Sequence, residues 1–236
     1  MNDIYKAQTA DGSVFAMGQD ARATFLGRTY ATLFGAIVAF VLIEIALFQT
    51  ELPRRMFEFI AGGQYRWLLF LGGFMVVGWF ASRVAAQARS PSAQYGALLA
   101  YVLFQAILFL PLLFMAHVYA DGGVIESAAL VTLAAFAGLT AIVFFTRKDF
   151  SFLRGIVMYG MILALVAIVA GVVFGFALGT WFSVIMVGLA GAAILYDTSN
   201  ILHHYPENMH VAAALQLFAS VALMFWYVLQ IFMSRD

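Results

Sequence analysis

Seven stretches of the chain, each about twenty residues long, are almost free of charged side chains. The hydrocarbon core of a bilayer is about 30 Å thick, and a helix needs roughly 20 apolar residues to cross it. Backbone polar groups in lipid must be hydrogen-bonded within the protein, so only helices and closed barrels span it. The stretches show no alternation of apolar and polar residues, which argues against barrel strands. They therefore predict seven transmembrane helices, at 30–48, 67–86, 95–119, 127–146, 152–178, 182–202 and 211–233.

The composition supports the same class of protein. Hydrophobic residues make up 64% of the 236 residues and charged residues 10%, with a mean hydropathy of +0.96. In a soluble domain roughly a quarter of the residues are charged, because its surface must be solvated. The net charge is zero, so the chain shows no excess of basic residues for binding nucleic acid. A chain without cysteine forms no disulfide or thiolate metal site. We expect an all-α membrane protein embedded in the lipid bilayer, with no nucleic acid partner.

The remaining polar residues divide the chain and orient it. Residues 1–28 are polar and of mixed charge, without the pattern of a signal peptide. We expect a polar cytoplasmic N-terminal tail at 1–28 and one transmembrane domain at 29–236. Basic residues concentrate on the cytoplasmic side of a membrane protein, which predicts a cytoplasmic N-terminus and an external C-terminus. That orientation places Lys6, Arg22, Arg28, Arg83, Arg89, Arg147, Lys148 and Arg154 inside, against Arg54, Arg55, Arg66 and Arg235 outside.

The boundary between the fifth and sixth stretches is short, with Gly179, Thr180 and Trp181 between them. A tight turn containing glycine would join two antiparallel helices at this point. A single re-entrant segment is the alternative interpretation.

Two carboxylates lie well inside apolar stretches, Glu44 in the first and Asp197 in the sixth. A charged side chain at mid-membrane costs about 2.5–3.5 kcal/mol on insertion scales, and such residues commonly mark ion or proton pathways. The alternative for Asp197 is a structural carboxylate, neutralised by Arg83 or capped by its own helix. Glu44 could instead snorkel or bond to a neighbouring helix. We interpret Asp197 as functional and leave both interpretations of Glu44 open.

Helix geometry converts sequence position into depth, at about 1.5 Å per residue. Asp197 then lies roughly 6–8 Å below the cytoplasmic boundary, and Glu44 lies roughly 12–15 Å farther out. Arg83 falls near the depth of Asp197, as does Gln216 on the last helix, with Ser220 one turn deeper. We expect Arg83 as a counter-charge or gate, and Gln216 and Ser220 as polar partners.

Histidines flank the connection after the sixth stretch, at His203, His204 and His210. Histidine titrates near neutral pH, so a cytoplasmic pH sensor is one interpretation and simple solvation is the other. The set of ligands for a zinc site is incomplete here. The chain also lacks the sequence motifs of serine hydrolases, zinc proteases and nucleotide-binding loops. We predict that the protein is not an enzyme and holds no resident cofactor.

Two motifs resemble those of a known family. Arg-Lys-Asp-Phe-Ser-Phe-Leu-Arg-Gly at 147–155 opens the fifth helix, and Ile-Leu-Tyr-Asp-Thr-Ser-Asn-Ile at 194–201 closes the sixth. With Arg-Thr-Tyr at 28–30, this order resembles the Bax inhibitor-1 family in its bacterial YccA-like branch. The resemblance implies six helices around a central seventh. It also implies a pH-sensitive calcium leak in some members, and modulation of a membrane AAA protease in the YccA branch.

The resemblance also assigns roles to single residues. Asp197 matches one half of a pair of aspartates that senses pH in members that leak calcium. The second aspartate would lie on the last helix near 215–218, where this chain has no acid and Phe218 or a neighbour takes the place. The arginine that pairs with these acids in the family would match Arg83 or Arg89.

These observations lead to two hypotheses of different classes. The first is a bacterial inner-membrane protein with a cation or proton path gated at Asp197, where a transported calcium ion would bind, and with Glu44 farther along. The second is a modulator of a membrane AAA protease that conducts nothing, for which the polar tail would matter more. The oligomeric state is left open, and a monomer is compatible with the sequence.

Overall fold

The computed structural model describes residues 19–87, 90–120 and 122–234, and these residues form helices joined by short connections. No strand occurs among them. The order is α1 (Gln19–Phe48), α2 (Leu52–Ala61), α3 (Gln64–Gln87), α4 (Pro91–Tyr119), α5 (Val124–Thr146), α6 (Leu153–Phe174), α7 (Gly179–His203), a 3-10 turn (Glu207–Met209) and α8 (His210–Met233). The prediction of an all-α protein is confirmed.

Six of the described helices, α1 and α4 to α8, are long and apolar enough to cross a membrane. The chain is therefore a multi-pass membrane protein. The predicted segment 67–86 lies within α3, a helix of 24 residues that is not among these six. The predicted tail 1–28 is outside the described residues up to residue 18, and from Gln19 onward the chain is already helical.

Residues 49–66, which the hydropathy pattern assigns to a connection, contain the additional helix α2. Pro53 is the second residue of α2. A backbone N–H in the first turn has no acceptor within the helix, so proline is tolerated there. Arg54 and Glu58 form an exposed salt bridge of 2.9 Å. Phe57 packs against the rings of Phe114 and Tyr119 of α4. The prediction missed α2 because ten residues are too few for a membrane-spanning pattern.

The turn between α6 and α7 resolves the ambiguity between a hairpin and a re-entrant segment. Helix α6 ends at Phe174, where Gly175 adopts a φ of +73° that favours glycine. Helix α7 begins at Gly179 and packs against α6. The two helices thus form a tight hairpin, with the turn four residues earlier than the sequence pattern suggests.

Helix α8 lies in the interior of the bundle. Within its most apolar window 78% of the residues are buried, compared with 6% in the corresponding window of α6. It packs against α1, α3, α4, α5 and α7. Side chains that α8 directs at its neighbours therefore meet protein on several sides, which matters for the polar residues that follow.

Candidate functional site

Asp197 lies in the contact between α7 and α8, where α7 carries small residues. Ala190, Gly191 and Ala193 are buried one to two turns before it, and small residues allow two helices to approach closely. A Cβ atom on Gly191 would already lie 3.5 Å from Leu139 and 3.7 Å from Met224. This packing holds the side chain of Asp197, which is 2% exposed, against the neighbouring helix.

Two neutral side chains of α8 hold the carboxylate of Asp197. The hydroxyl of Ser220 donates to Oδ2 at 2.5 Å, and the Nε2 amide of Gln216 donates to Oδ1 at 3.2 Å. Residues four apart lie on the same face of a helix, so both donors point at α7. The structure brings Asp197 together with Gln216, which the depth estimate placed at the same level, and with Ser220, which it placed one turn deeper. Within the described ranges the Asp197 carboxylate has no salt bridge.

The structure does not bring Arg83 to Asp197. The Arg83 guanidinium is exposed and lies over the ring of Trp79, 4.8 Å from its centre. Trp79 is four residues earlier on the same helix, so a cation–π contact within α3 replaces the expected ion pair. Arg89, the other expected counter-charge, lies outside the described residues. The expected pairing of Arg83 with Asp197 is thus corrected, because the partners of this acid are uncharged.

Phe218 does not take the place of a second acid opposite Asp197. Its ring packs against Phe40 of α1 and Tyr101 of α4, with both ring centres 6.1 Å away. Two residues along a helix turn the side chain to another face, so Phe218 points away from the face of Gln216 and Ser220. Of the two expected alternatives, Phe218 or a neighbour, Phe218 is wrong, and its neighbours Gln216 and Ser220 lie opposite Asp197.

A cluster of buried hydroxyls, which the sequence analysis did not identify, lies beside Asp197. The Tyr30 hydroxyl of α1 faces the hydroxyls of Thr140 on α5 and Thr198 on α7. None of the three hydroxyls has a hydrogen-bond partner among the described residues. The one available signal was that Thr198 and Tyr30 both belong to motifs shared with the family. The cluster extends the polar region around Asp197 across three helices.

The charge of Asp197 also affects the pKa of Tyr205, in the connection between α7 and α8. Burial, with a smaller contribution from the Asp197 carboxylate, raises the pKa of Tyr205 to about 12. Tyr205 therefore keeps its proton at physiological pH and can act there only as a neutral hydroxyl.

The two motifs that resemble the family contact each other at the same end of the bundle. The Phe150 N–H donates to the Ser199 hydroxyl at 2.9 Å, and that hydroxyl donates to Asp149 at 3.4 Å. Asp149 also accepts from the N–H and hydroxyl of Ser151, at 2.9 and 2.5 Å. These Ser151 hydrogen bonds are the main reason that the pKa of Asp149 lies below its usual value. The connection before α6 is thereby fastened to the helix that carries Asp197.

The histidines take separate positions in this region. Nε2 of His204 lies 3.8 Å from Asp149, while Nδ1 of His203 contacts the Ser199 carbonyl oxygen at 2.8 Å. His210 contacts the Tyr95 hydroxyl at 3.2 Å. No group of three or more His, Cys, Asp or Glu side chains that could hold a metal ion occurs in the described part of the chain. A calcium ion at Asp197 would meet one carboxylate, well short of the six to eight oxygen ligands it prefers.

Glu44 belongs to a different environment. It is 6% exposed, and neither carboxylate oxygen has a hydrogen-bond partner among the described residues. It lines a partly open cavity of about 560 Å³ formed by α1, α4, α5 and α8. The cavity reaches Phe48, the last residue of α1, and Glu126, in the first turn of α5, so it lies toward the opposite end of the bundle from Asp197. Phe218 lines it as well.

Comparison with known proteins supports the family resemblance. A family model described as "Inhibitor of apoptosis-promoting Bax1" matches residues 22–236. An uncharacterized protein of Pseudomonas aeruginosa is 38% identical over 112 residues, which cover 47% of this chain and 50% of the relative. "Modulator of FtsH protease YccA" of Escherichia coli K12 is 36% identical over 118 residues, covering 49% of this chain and 53% of the relative.

The matched segments thus span about half the length of these curated relatives. A second Escherichia coli relative with the same figures is described as "Inner membrane protein YccA". No solved structure gives a significant match. The family model covers nearly the whole described chain, including both motifs at the Asp197 end of the bundle. The chain belongs to the Bax inhibitor-1 family, in its bacterial YccA-like branch.

Proposed function

We propose that this protein forms a gated path for cations or protons across the bacterial inner membrane, with calcium as the cargo that the family resemblance suggests. The observation that carries the proposal is Asp197, a buried carboxylate held by two neutral donors, Ser220 and Gln216. In this proposal seven helices span the membrane, with α8 surrounded by the other six. The N-terminus is cytoplasmic and the C-terminus external.

The chemistry of the site supports a gate that responds to protonation. An ionised carboxylate accepts both hydrogen bonds, whereas a protonated one becomes a donor itself. The Ser220 hydroxyl can reverse from donor to acceptor, so protonation rearranges this contact without necessarily breaking it. The link between α7 and α8 therefore depends on the charge of Asp197, in the contact with the buried helix.

Phe218 supplies the barrier in this proposal. Gln216 and Ser220 contact Asp197, while Phe218, on another face of the same helix, lines the cavity that contains Glu44. A small rotation of α8 would move all three side chains together. The proposed path leads from Asp197 past the Phe218 ring into the cavity, with Glu44 as the second acidic station.

The experiment is a calcium flux assay with the purified protein in liposomes. We expect Asp197→Asn to change the flux at least threefold, because it removes the charge that the gate responds to. Glu58→Gln is the matched control, since it makes the same acid-to-amide change on the exposed face of α2. Flux in folded Asp197→Asn that equals the wild-type flux at every pH would contradict the proposal.

A second candidate is modulation of a membrane AAA protease without conduction. It is favoured by the name of one relative, a modulator of FtsH protease, although the match covers about half of that protein. In this case the polar region at 1–28 would carry the contact with the protease. Deleting residues 2–20 should then abolish an effect on protease activity in membranes, while a leak through the bundle should survive the deletion.

A further inference from the structure

The cavity that contains Glu44 has the properties of a ligand site. Its volume of about 560 Å³ falls within the range of roughly 300–1,000 Å³ that small-molecule pockets occupy. Aromatic rings form much of its wall: Phe109 packs edge-on against Phe40 and stacks on Phe225, with ring centres 5.3 and 5.5 Å apart. A largely apolar cavity with few polar groups binds the apolar body of a ligand and orients it through those groups.

The charge of the cavity wall is acidic. Glu44 lines its buried part and Glu126 lies exposed at one end, while the described lining residues include one histidine, His117, and no Lys or Arg. The Thr132 hydroxyl, which also lines the cavity, is already bonded to the Ala128 carbonyl oxygen at 2.8 Å. Glu44 thus remains as a buried acceptor with both oxygens unused by the described residues. A buried carboxylate is normally either neutral or paired with a cation, so a cationic ligand would supply the partner that Glu44 lacks among the described residues.

We propose that this cavity binds a lipophilic organic cation, a quaternary or protonated nitrogen or phosphonium group on an aromatic or aliphatic body. The cationic centre lies against Glu44 once its carboxylate, whose oxygens are closed off in this structure, turns toward the cavity. The body contacts the phenylalanine rings, whose faces also attract a cation. An inorganic ion alone would leave most of the apolar volume unfilled. A neutral lipid chain would fill the volume but leave the carboxylate unpaired. The same cavity is part of the path proposed above, but binding of such a cation does not require that the path conducts.

The test uses two probes of nearly the same shape and opposite charge, tetraphenylphosphonium and tetraphenylborate. Binding to the purified full chain in detergent is measured by equilibrium dialysis, with binding to protein-free micelles subtracted. We expect saturable binding of the phosphonium cation and at least tenfold weaker binding of the borate anion. Equal binding of both probes would identify a nonselective apolar groove and overturn the proposal.

Variants locate the bound cation. Glu44→Gln keeps the shape of the side chain and should weaken phosphonium binding at least tenfold, whereas Glu126→Gln, at the exposed end, should change it less than threefold. Ala129→Phe fills part of the cavity without replacing either acid and should also weaken binding at least fivefold. Unchanged affinity in folded Glu44→Gln would overturn the proposal. If Glu44→Gln does not fold, unchanged affinity in Ala129→Phe would overturn it instead.

Discussion

Two buried carboxylates in this protein have opposite surroundings. Asp197 lies where α7 and α8 pack closely, and both of its oxygens accept hydrogen bonds from α8. Glu44 lies beside a cavity of about 560 Å³, and neither of its oxygens has a partner in the described structure. Both are nearly fully buried, so burial does not distinguish them. The comparison teaches that the carboxylate of Asp197 is bonded into the helix packing, whereas the carboxylate of Glu44 is buried without a partner among the described residues.

The largest difference should appear when each acid is replaced by leucine. Asp197→Leu leaves the Ser220 and Gln216 donors without their acceptor, and an unsatisfied buried donor costs about 1–3 kcal/mol. We expect the free energy of unfolding to fall by about 2–4 kcal/mol. Glu44→Leu removes a carboxylate without partners and should be neutral or stabilising. Denaturant titration in mixed micelles measures both, and equal losses would erase the contrast between the two sites.

A smaller difference in stability should distinguish the hydrogen bond to the Asp197 carboxylate from a neutral hydrogen bond between the same two helices. Ser220→Ala removes a hydrogen bond to a carboxylate and should cost about 1.5–3 kcal/mol. Ser183→Ala is the matched control, because Ser183 donates to Gln230 across the same pair of helices at 3.1 Å. That neutral bond should contribute about 0.5–1.5 kcal/mol. Thermal unfolding of the two variants gives the comparison, and a larger loss for Ser183→Ala would contradict the importance assigned to Ser220.

The smallest effect concerns Asp149, which fastens the connection before α6 to the end of α7. Hydrogen bonds from Ser151 lower the pKa of Asp149 below its unfolded value of about 3.9. The stabilisation is therefore full above the unfolded pKa and is lost as the pH falls through the folded pKa. Because the side chain is half exposed, we expect less than about 1 kcal/mol.

The measurement for Asp149 is the stability difference between wild type and Asp149→Asn as a function of pH. The difference should shrink as the pH falls below about 4. A difference that grows as the pH falls through this acidic range would show that the hydrogen bonds of Asp149 do not stabilise the folded state.

Much of this architecture follows from the sequence, because each predicted apolar segment lies largely within a long helix and depth follows from residue number. The depth estimate placed Gln216 level with Asp197 and Ser220 one turn deeper, and in the structure both residues bond to Asp197. It could not exclude Arg83, because depth says nothing about the side of the helix on which a side chain lies or about the Trp79 ring that Arg83 contacts. The depth estimate also could not show that Phe218 and Ser220 lie on different faces of α8, because that requires the orientation of the helix.

The environment of Glu44 illustrates the other limit of sequence reasoning. A cavity forms where four helices fail to fill the space between them, and that depends on tertiary packing that no local pattern encodes. The additional helix α2 was missed for a different reason, because its ten residues form an amphipathic pattern too short to resemble a span.

The most direct test of the central claim is the pH profile of calcium flux in liposomes for wild type, Asp197→Asn and Ser220→Asp. Because the gate has one acid, held by neutral donors, the flux of the wild type should follow a single-site titration curve. In Asp197→Asn the flux should no longer depend on pH. Ser220→Asp places a second carboxylate opposite Asp197 and should produce two coupled steps, because two nearby carboxylates share a proton. A wild-type profile that already shows two coupled steps, or one that persists in folded Asp197→Asn, would contradict a gate that depends on Asp197 alone.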